Sequence, residues 1–373
     1  METAVGGYEM QPQFIPEHRK ISHYLVFYTL ITMQVGIGAL GFQKIIARIA
    51  GYDSWQSVLI AGITTNMVMS LIYKQLETVD GDIKDIHEFV FGRWIGKILD
   101  LTLIFYFLIV AMTILRSYVE VIQVWMFPDF STFWFTLLFL LLCIYIICGG
   151  FRTVVGISFF SFILPFYILF TLGFAIPYGD FRHFLPLFNH SFNDVLKASQ
   201  DMSLTYVGFE TILVFYPFIK DPKKSKKFSQ LALIYTTIFY FFITIICFSF
   251  YGEEQLQKII WATLTTFKII RFPIVERFEY IGIANWCLII LPNICISLWC
   301  ASRLLKRTIK LRQKYGIWIL CGFILFFSPL LKNRLHLNML NSITGNIGFL
   351  INFIYIPFLF LLVTIVKKVK KKL

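Results

Sequence analysis

Apolar runs long enough to cross a membrane, separated by short charge-bearing gaps, repeat along the whole chain. A hydrocarbon core about 30 Å thick needs about 20 apolar residues per helix. On that measure the pattern predicts ten transmembrane helices at 21–42, 53–73, 98–126, 131–148, 153–176, 197–218, 228–250, 278–302, 315–331 and 344–366. They fall into two halves of five. Two longer connections, 80–97 and 252–271, carry amphipathic sequence in place of a simple turn. In the second, Leu256, Ile259, Ile260 and Leu264 recur at helical spacing beside Glu253, Glu254 and Lys258, the pattern of a short helix lying in the membrane interface. Residues 1–20 form a polar arm, extended around Pro12 and Pro16 and without the small-residue cleavage site of a signal peptide. Residues 367–373 form a basic tail, which leaves 21–366 as one membrane domain.

Helix-breaking patches interrupt the first span of each half: Val35-Gly36-Ile37-Gly38, and Tyr206-Val207-Gly208-Phe209-Glu210. Matched interruptions of this kind point to an inverted-repeat transporter fold with a binding site at the bilayer midplane, because unwound backbone exposes amide and carbonyl groups to a ligand. The expected fold class is therefore an all-α integral membrane protein, a five-plus-five inverted repeat with discontinuous helices 1 and 6. The other reading of Gly36, Gly38 and Gly41 is a small-residue face for tight helix packing. Glu210 favours a site, since an ionisable side chain near the middle of a span is costly and marks a pathway, a relay or a partner charge; the alternative is a protonated or paired carboxyl that tethers neighbouring helices. Freed N–H groups suit a carboxylate and freed carbonyls an ammonium, so a zwitterionic amino acid fits both. Tyr206 and Phe209 supply an apolar wall for its side chain, or plain packing.

Other polar residues within spans are fewer. Arg116 and Glu120 lie four apart on one helix face, as a salt bridge within the helix or as part of an outer gate. Asn285 offers a donor and an acceptor, to a ligand or as glue between helices. Pro292 kinks the same helix, and Pro165 and Pro357 bend the equivalent fifth and tenth spans.

The apolar fraction of 58% against 15% charged residues leaves no room for a soluble protein. The excess of 34 Lys+Arg over 21 Asp+Glu sits in short loops and the tail, which speaks against nucleic-acid binding and places both termini in the cytoplasm by the positive-inside rule. The tail also meets anionic lipid headgroups of the bilayer. Seven cysteines all fall in apolar segments, the place of small buried hydrophobes and not of a disulfide framework. The histidines, His18, His23, His87, His183, His190 and His336, form no Ser, His and Asp set or metal cluster at membrane depth. Neither catalysis, a cofactor nor a metal is expected.

Three stretches carry a family resemblance. Tyr206-Val207-Gly208-Phe209-Glu210, followed by Pro217-Phe218-Ile219 and Lys223-Lys224-Ser225-Lys226-Lys227, resembles the sixth-span signature of spore germination permeases, the B subunits of nutrient germinant receptors. Arg116-Ser117-Tyr118-Val119-Glu120 resembles their third-span pattern, and Glu276-Arg277-Phe278-Glu279 before Trp286 their eighth-span motif. The resemblance implies a LeuT-like fold of the amino acid, polyamine and organocation transporter superfamily, in the inner spore membrane or cell membrane. It implies a small germinant, an amino acid first, bound at Gly36, Ile37, Gly38, Tyr206, Val207, Gly208, Phe209, Glu210 and Asn285, and a signal passed to A and C partner subunits. The alternative is a working amino acid or cation-coupled permease with Glu210 as coupling carboxyl.

Overall fold

In the computed structural model, which describes residues 15–270 and 276–372, every regular element is a helix. The helices are α1 (Leu25–Gln34), α2 (Phe42–Ala50), α3 (Trp55–Val79), α4 (Ile83–Trp125), α5 (Thr132–Cys148), α6 (Phe151–Ile163) and α7 (Tyr167–Thr171). After an irregular stretch come α8 (Phe192–Asp201), α9 (Ser203–Tyr206), α10 (Ile212–Phe215) and α11 (Pro222–Phe250). The chain closes with α12 (Glu253–Lys258), α13 (Ala262–Thr266), α14 (Phe278–Ile309), α15 (Gln313–Phe327), α16 (Arg334–Phe349) and α17 (Ile356–Lys372). Among the described residues, seven helical runs are long and apolar enough to cross a bilayer, and three shorter apolar ones accompany them: Leu25–Gln34, Thr132–Cys148 and Phe209–Phe218.

Chemistry explains where these helices stop and bend. Pro165 lies in a 3-10 turn at Leu164–Phe166 between α6 and α7. A π-helical turn at Leu350–Tyr355 joins α16 to α17 just ahead of Pro357, which has no N–H to give back. Both prolines thus sit at or beside a departure from the α-helical hydrogen-bond pattern, a 3-10 turn and a π turn. The amphipathic connections are helical too: 252–271 holds α12 and α13, and 80–97 is the start of α4. The first apolar segment runs further than its predicted end at 42, because the chain resumes as α2 and continues to Ala50. Of the polar arm, residues 1–14 lie outside the described residues, as do 271–275 of the second connection and Leu373 of the tail.

One end of the bundle gathers most of its ion pairs. Gly92 (φ 76°) bends α4 sharply, and Gly96 then lets the helix fold back so closely that a Cβ there would stand 3.2 Å from the His87 backbone. The fold-back buries His87 against Asp100, Nδ1 to Oδ1 at 2.7 Å. Tyr355 completes the set, its hydroxyl 2.7 Å from His87 Nε2. Asp82 caps the start of α4, and the Arg307 guanidinium of α14 pairs with both Asp82 and Asp85. At the same end, Ile21 forms a parallel bridge with Ile219: Ile21 N–H donates to Phe218 C=O and Lys220 N–H to Ile21 C=O, each at 2.8 Å. The arm is thus tied to the chain segment that leaves the second broken helix.

Removing one partner of a buried ion pair leaves the other charge desolvated and unpaired, at about 3–5 kcal/mol. Arg307→Leu strands Asp82, whose side chain is 1% exposed. The expected outcome is a loss of that size in reversible unfolding of the purified protein in mixed micelles, measured against Lys310→Ala, a change outside the pair.

Candidate functional site

The first break begins where α1 ends at Gln34: Val35 is extended (φ −80°, ψ 93°) and a 3-10 turn follows at Ile37–Leu40. The second begins where α9 ends at Tyr206, and its pivot is Gly208 at φ +121°, a backbone region that glycine enters freely and other residues do not. Both breaks meet. A Cβ on Gly208 would stand 2.9 Å from the Met33 carbonyl oxygen, and one on Gly38 would stand 3.3 Å from the Thr205 Cα. On the far side of the first break, a Cβ on Gly36 would stand 3.0 Å from Asn293 Nδ2. Glycine is needed here for close approach as well as for the turn.

Side chains satisfy the backbone that the breaks release. Gln34 Nε2 donates to the Tyr206 carbonyl at 3.1 Å, one break bonding the other. The Tyr240 hydroxyl of α11 donates to the Gln34 carbonyl at 2.6 Å and lies 3.3 Å from that of Thr205. Asn293 Nδ2 of α14 donates to the Met33 carbonyl at 2.9 Å, and Thr263 Oγ1 of α13 to the Ala39 carbonyl at 2.9 Å. Glu210 closes the second break on itself. Its Oε2 accepts the Gly208 N–H at 2.8 Å, and its Oε1 accepts the Tyr106 hydroxyl of α4 at 2.6 Å.

The structure thus brings together Gly36, Ile37 and Gly38 with Tyr206, Val207, Gly208, Phe209 and Glu210. Their surroundings differ in part from the expected ones. Tyr206 turns its hydroxyl to the Val58 carbonyl of α3 at 3.0 Å, and Phe209 is fully buried. Val207 packs against Gly348 of α16, where a Cβ would come within 2.6 Å of its methyl. Glu210 braces the break with both carboxyl oxygens. Asn285 is not at the breaks: its amide donates to Ile281 C=O of its own helix at 2.9 Å. Asn293, two turns on, takes that place, directly after the kinking Pro292.

Arg116 and Glu120 make no salt bridge with each other. Glu120 pairs with Arg334 at the start of α16, and Arg116 Nε donates to the Leu331 carbonyl at 3.0 Å. One partner lies in the connection between α15 and α16 and the other at the start of α16, both more than 200 residues away, so four-residue spacing said nothing of them. Gln34, Tyr106, Tyr240 and Asn293 also escaped sequence reading. For Asn293 a signal existed, a lone amide beside a proline in an apolar run; for the two tyrosines, among 18 in the chain, there was none.

Loss of a donor from a buried carbonyl costs about 1–3 kcal/mol. Asn293→Ala is expected to destabilise the protein by that amount, and Asn285→Ala by less than about 0.5 kcal/mol. Thermal unfolding of the two variants side by side checks both.

A family model described as spore germination protein matches residues 20–337. The chain is 41% identical to spore germination protein GerQB of Bacillus cereus over 357 residues, covering 96% of this chain and 99% of that one. It is 24% identical to spore germination protein B2 of Bacillus subtilis (strain 168), with coverage of 82% and 85%. Among solved structures it resembles MhsT in complex with L-phenylalanine, with a TM-score of 0.64, 16% identity and coverage of 92% of this chain and 88% of that one. It also resembles the substrate-bound outward-open state of a Na+-coupled sialic acid symporter, with a TM-score of 0.62, 15% identity and coverage of 89% and 77%. At such identities these two likenesses speak for the fold, which is LeuT-like, and not for a ligand. The chain is a multi-pass membrane protein, and it belongs to the spore germination protein family as a homologue of the B-subunit type.

Proposed function

We propose that this protein is the B subunit of a nutrient germinant receptor, and that it binds a small germinant, an amino acid first, between its two broken helices. The observation that carries the reading is the mutual contact of the breaks. Gln34 bonds Tyr206, Gly208 lies on Met33 and Gly38 lies on Thr205. A solute that inserts between Gly36-Ile37-Gly38 and Tyr206-Val207-Gly208-Phe209-Glu210 must part these surfaces or replace their hydrogen bonds. Binding there therefore favours one arrangement of the helices over another by its difference in affinity for the two. The family places such a subunit in a receptor complex, and in this proposal the A and C subunits read the helix arrangement.

The same proposal has ten crossings in a five-plus-five inverted repeat, with the three short apolar helices supplying the crossings that length alone does not. Both termini lie in the cytoplasm, on the side of the Ile21 to Ile219 bridge, because the basic runs at 220–227, 303–314 and 367–372 lie at that end. The membrane is the inner spore membrane. Asn285 drops out of the contact set and Asn293 enters it. The second reading, a working permease, draws on the solute-bound state of both solved relatives by fold. Glu210 is a poor coupling carboxyl in the present arrangement, since Tyr106 and Gly208 already occupy its two oxygens.

Ligand-dependent thermal stabilisation in lipid nanodiscs, screened across amino acids, nucleosides and sugars, tests the site. One solute is expected to stabilise saturably, and the effect is expected to vanish in Gly208→Leu, whose side chain runs into Met33, and to persist in Asn285→Ala. A solute that stabilises Gly208→Leu as well as the parent protein sinks the assignment to the breaks. Accumulation of that solute in proteoliposomes distinguishes the permease.

A further inference from the structure

Beside the first break lies a cavity of about 70 Å³ walled by α1, the α6 to α7 segment, α11, α14 and, from the 252–271 connection, Thr263 of α13 and Phe267. Val35 is the one residue of either break that lines it. Among the described residues, no Asp, Glu, Lys, Arg or His does. Its walls are mainly Ile, Leu, Phe and Val, and an occupant must be uncharged, since a lone charge in such surroundings costs far more than the contacts return.

The walls are not wholly inert. Trp286, 3% exposed, lines the cavity, and its indole N–H is buried without a hydrogen-bond partner. Buried indole N–H groups ordinarily find an acceptor, and among the described residues this one has none. Ser161 lines the cavity from α6. Pro165, one turn on, has no N–H to return to the Ser161 carbonyl. Trp286 and Ser161 thus bring donor and acceptor capacity to a largely apolar wall that also includes Thr32, Tyr235 and Thr263.

The cavity also has a side facing lipid. A shallow groove between α7 and α11 shares Leu169, Tyr235 and Phe239 with its wall. The outer lip of that groove is apolar and open, with Phe170 67% and Ile238 62% exposed. Leu169, Tyr235 and Phe239 thus stand between the cavity and this lipid-facing groove, and small uncharged molecules concentrate in the hydrocarbon phase.

We infer that this cavity is a second ligand site, for a small uncharged molecule with an apolar body and one hydroxyl or carbonyl oxygen that accepts the Trp286 N–H, reached laterally between α7 and α11. Its volume is about half of an apolar cavity that holds benzene, so the occupant is a chain of three or four heavy atoms. The site does not depend on the germinant reading. An occupant presses on Val35, the residue at which α1 gives way to the first break, so the site is placed to bias that break.

Fluorine NMR of the protein in nanodiscs, with empty nanodiscs as blank, tests this with two probes of equal length, 2-fluoroethanol and 1-fluoropropane. Both are expected to bind saturably and to compete with each other. Trp286→Phe keeps the ring and removes the donor; it is expected to weaken 2-fluoroethanol by about tenfold and 1-fluoropropane by less than about twofold. Ile289→Phe fills the space and is expected to abolish both, with Leu172→Phe as a second filling variant should the first not fold. Signals equal to those of empty nanodiscs overturn the site, and so does binding that survives both filling variants. Equal weakening of the two probes by Trp286→Phe overturns the role of the indole N–H.

Discussion

Inside a bilayer, every backbone amide and carbonyl must find a partner within the protein, since no water stands ready to replace it. A helix meets that demand along its length and fails wherever it is interrupted. This protein interrupts two helices at the same place and answers the demand from elsewhere in the chain. Tyr240 and Asn293 reach in from α11 and α14, and Gln34 crosses from one break to the other. The second break uses its own carboxylate, with Glu210 holding the Gly208 N–H. The braces from Gln34, Tyr240 and Asn293 span 172 to 260 residues of sequence, so the breaks exist only in the assembled bundle.

That dependence shapes how the molecule can respond. Helix α14 contributes Asn293 at the first break, Trp286 in the cavity beside it, and Arg307 with Thr308 at the end where α4 folds back. A shift of this helix against α1 is felt at all three levels. Helix α4 offers a parallel route: Tyr106 holds Glu210 at the second break, while His87 and Asp100 lie at its folded end and reach Tyr355 in the π turn. Two long helices therefore link the breaks to the end of the bundle that carries most of the ion pairs. The bridge between Ile21 and Ile219 ties the entry to the first broken helix to the exit from the second there, so neither moves alone.

Much of this was legible in the sequence, for local reasons. Gly36, Gly38 and Gly208 announce interruptions because their neighbours are uniformly apolar and glycine serves no helix interior well. Pro165 and Pro357 mark bends because proline withholds an N–H wherever it sits. The amphipathic spacing of Leu256, Ile259, Ile260 and Leu264 pointed to helix in this connection, and two short ones stand there, α12 and α13, with Ile259 and Ile260 between them and Leu256 and Leu264 buried. What was not legible depends on pairing across the bundle. Arg116 and Glu120 share a helix face, yet their partners arrive from the connection after α15 and the start of α16. Asn285 and Asn293 are both lone amides in one apolar helix; only the crossing of α14 over α1 decides which one meets Met33. Glu210 stands out in the sequence as a lone carboxyl in an apolar run, but its work as a brace follows from a bond to the backbone two residues before it, which spacing alone does not reveal.

The central claim is that the two breaks form the germinant site. Cryo-electron microscopy of the assembled receptor, with and without the germinant that activates it, tests this most directly. The account predicts new density between Gly36 to Gly38 and Tyr206 to Glu210, with the Gln34 to Tyr206 contact parted or bridged. Density for the germinant bound elsewhere, with the breaks packed as they are here, would contradict it.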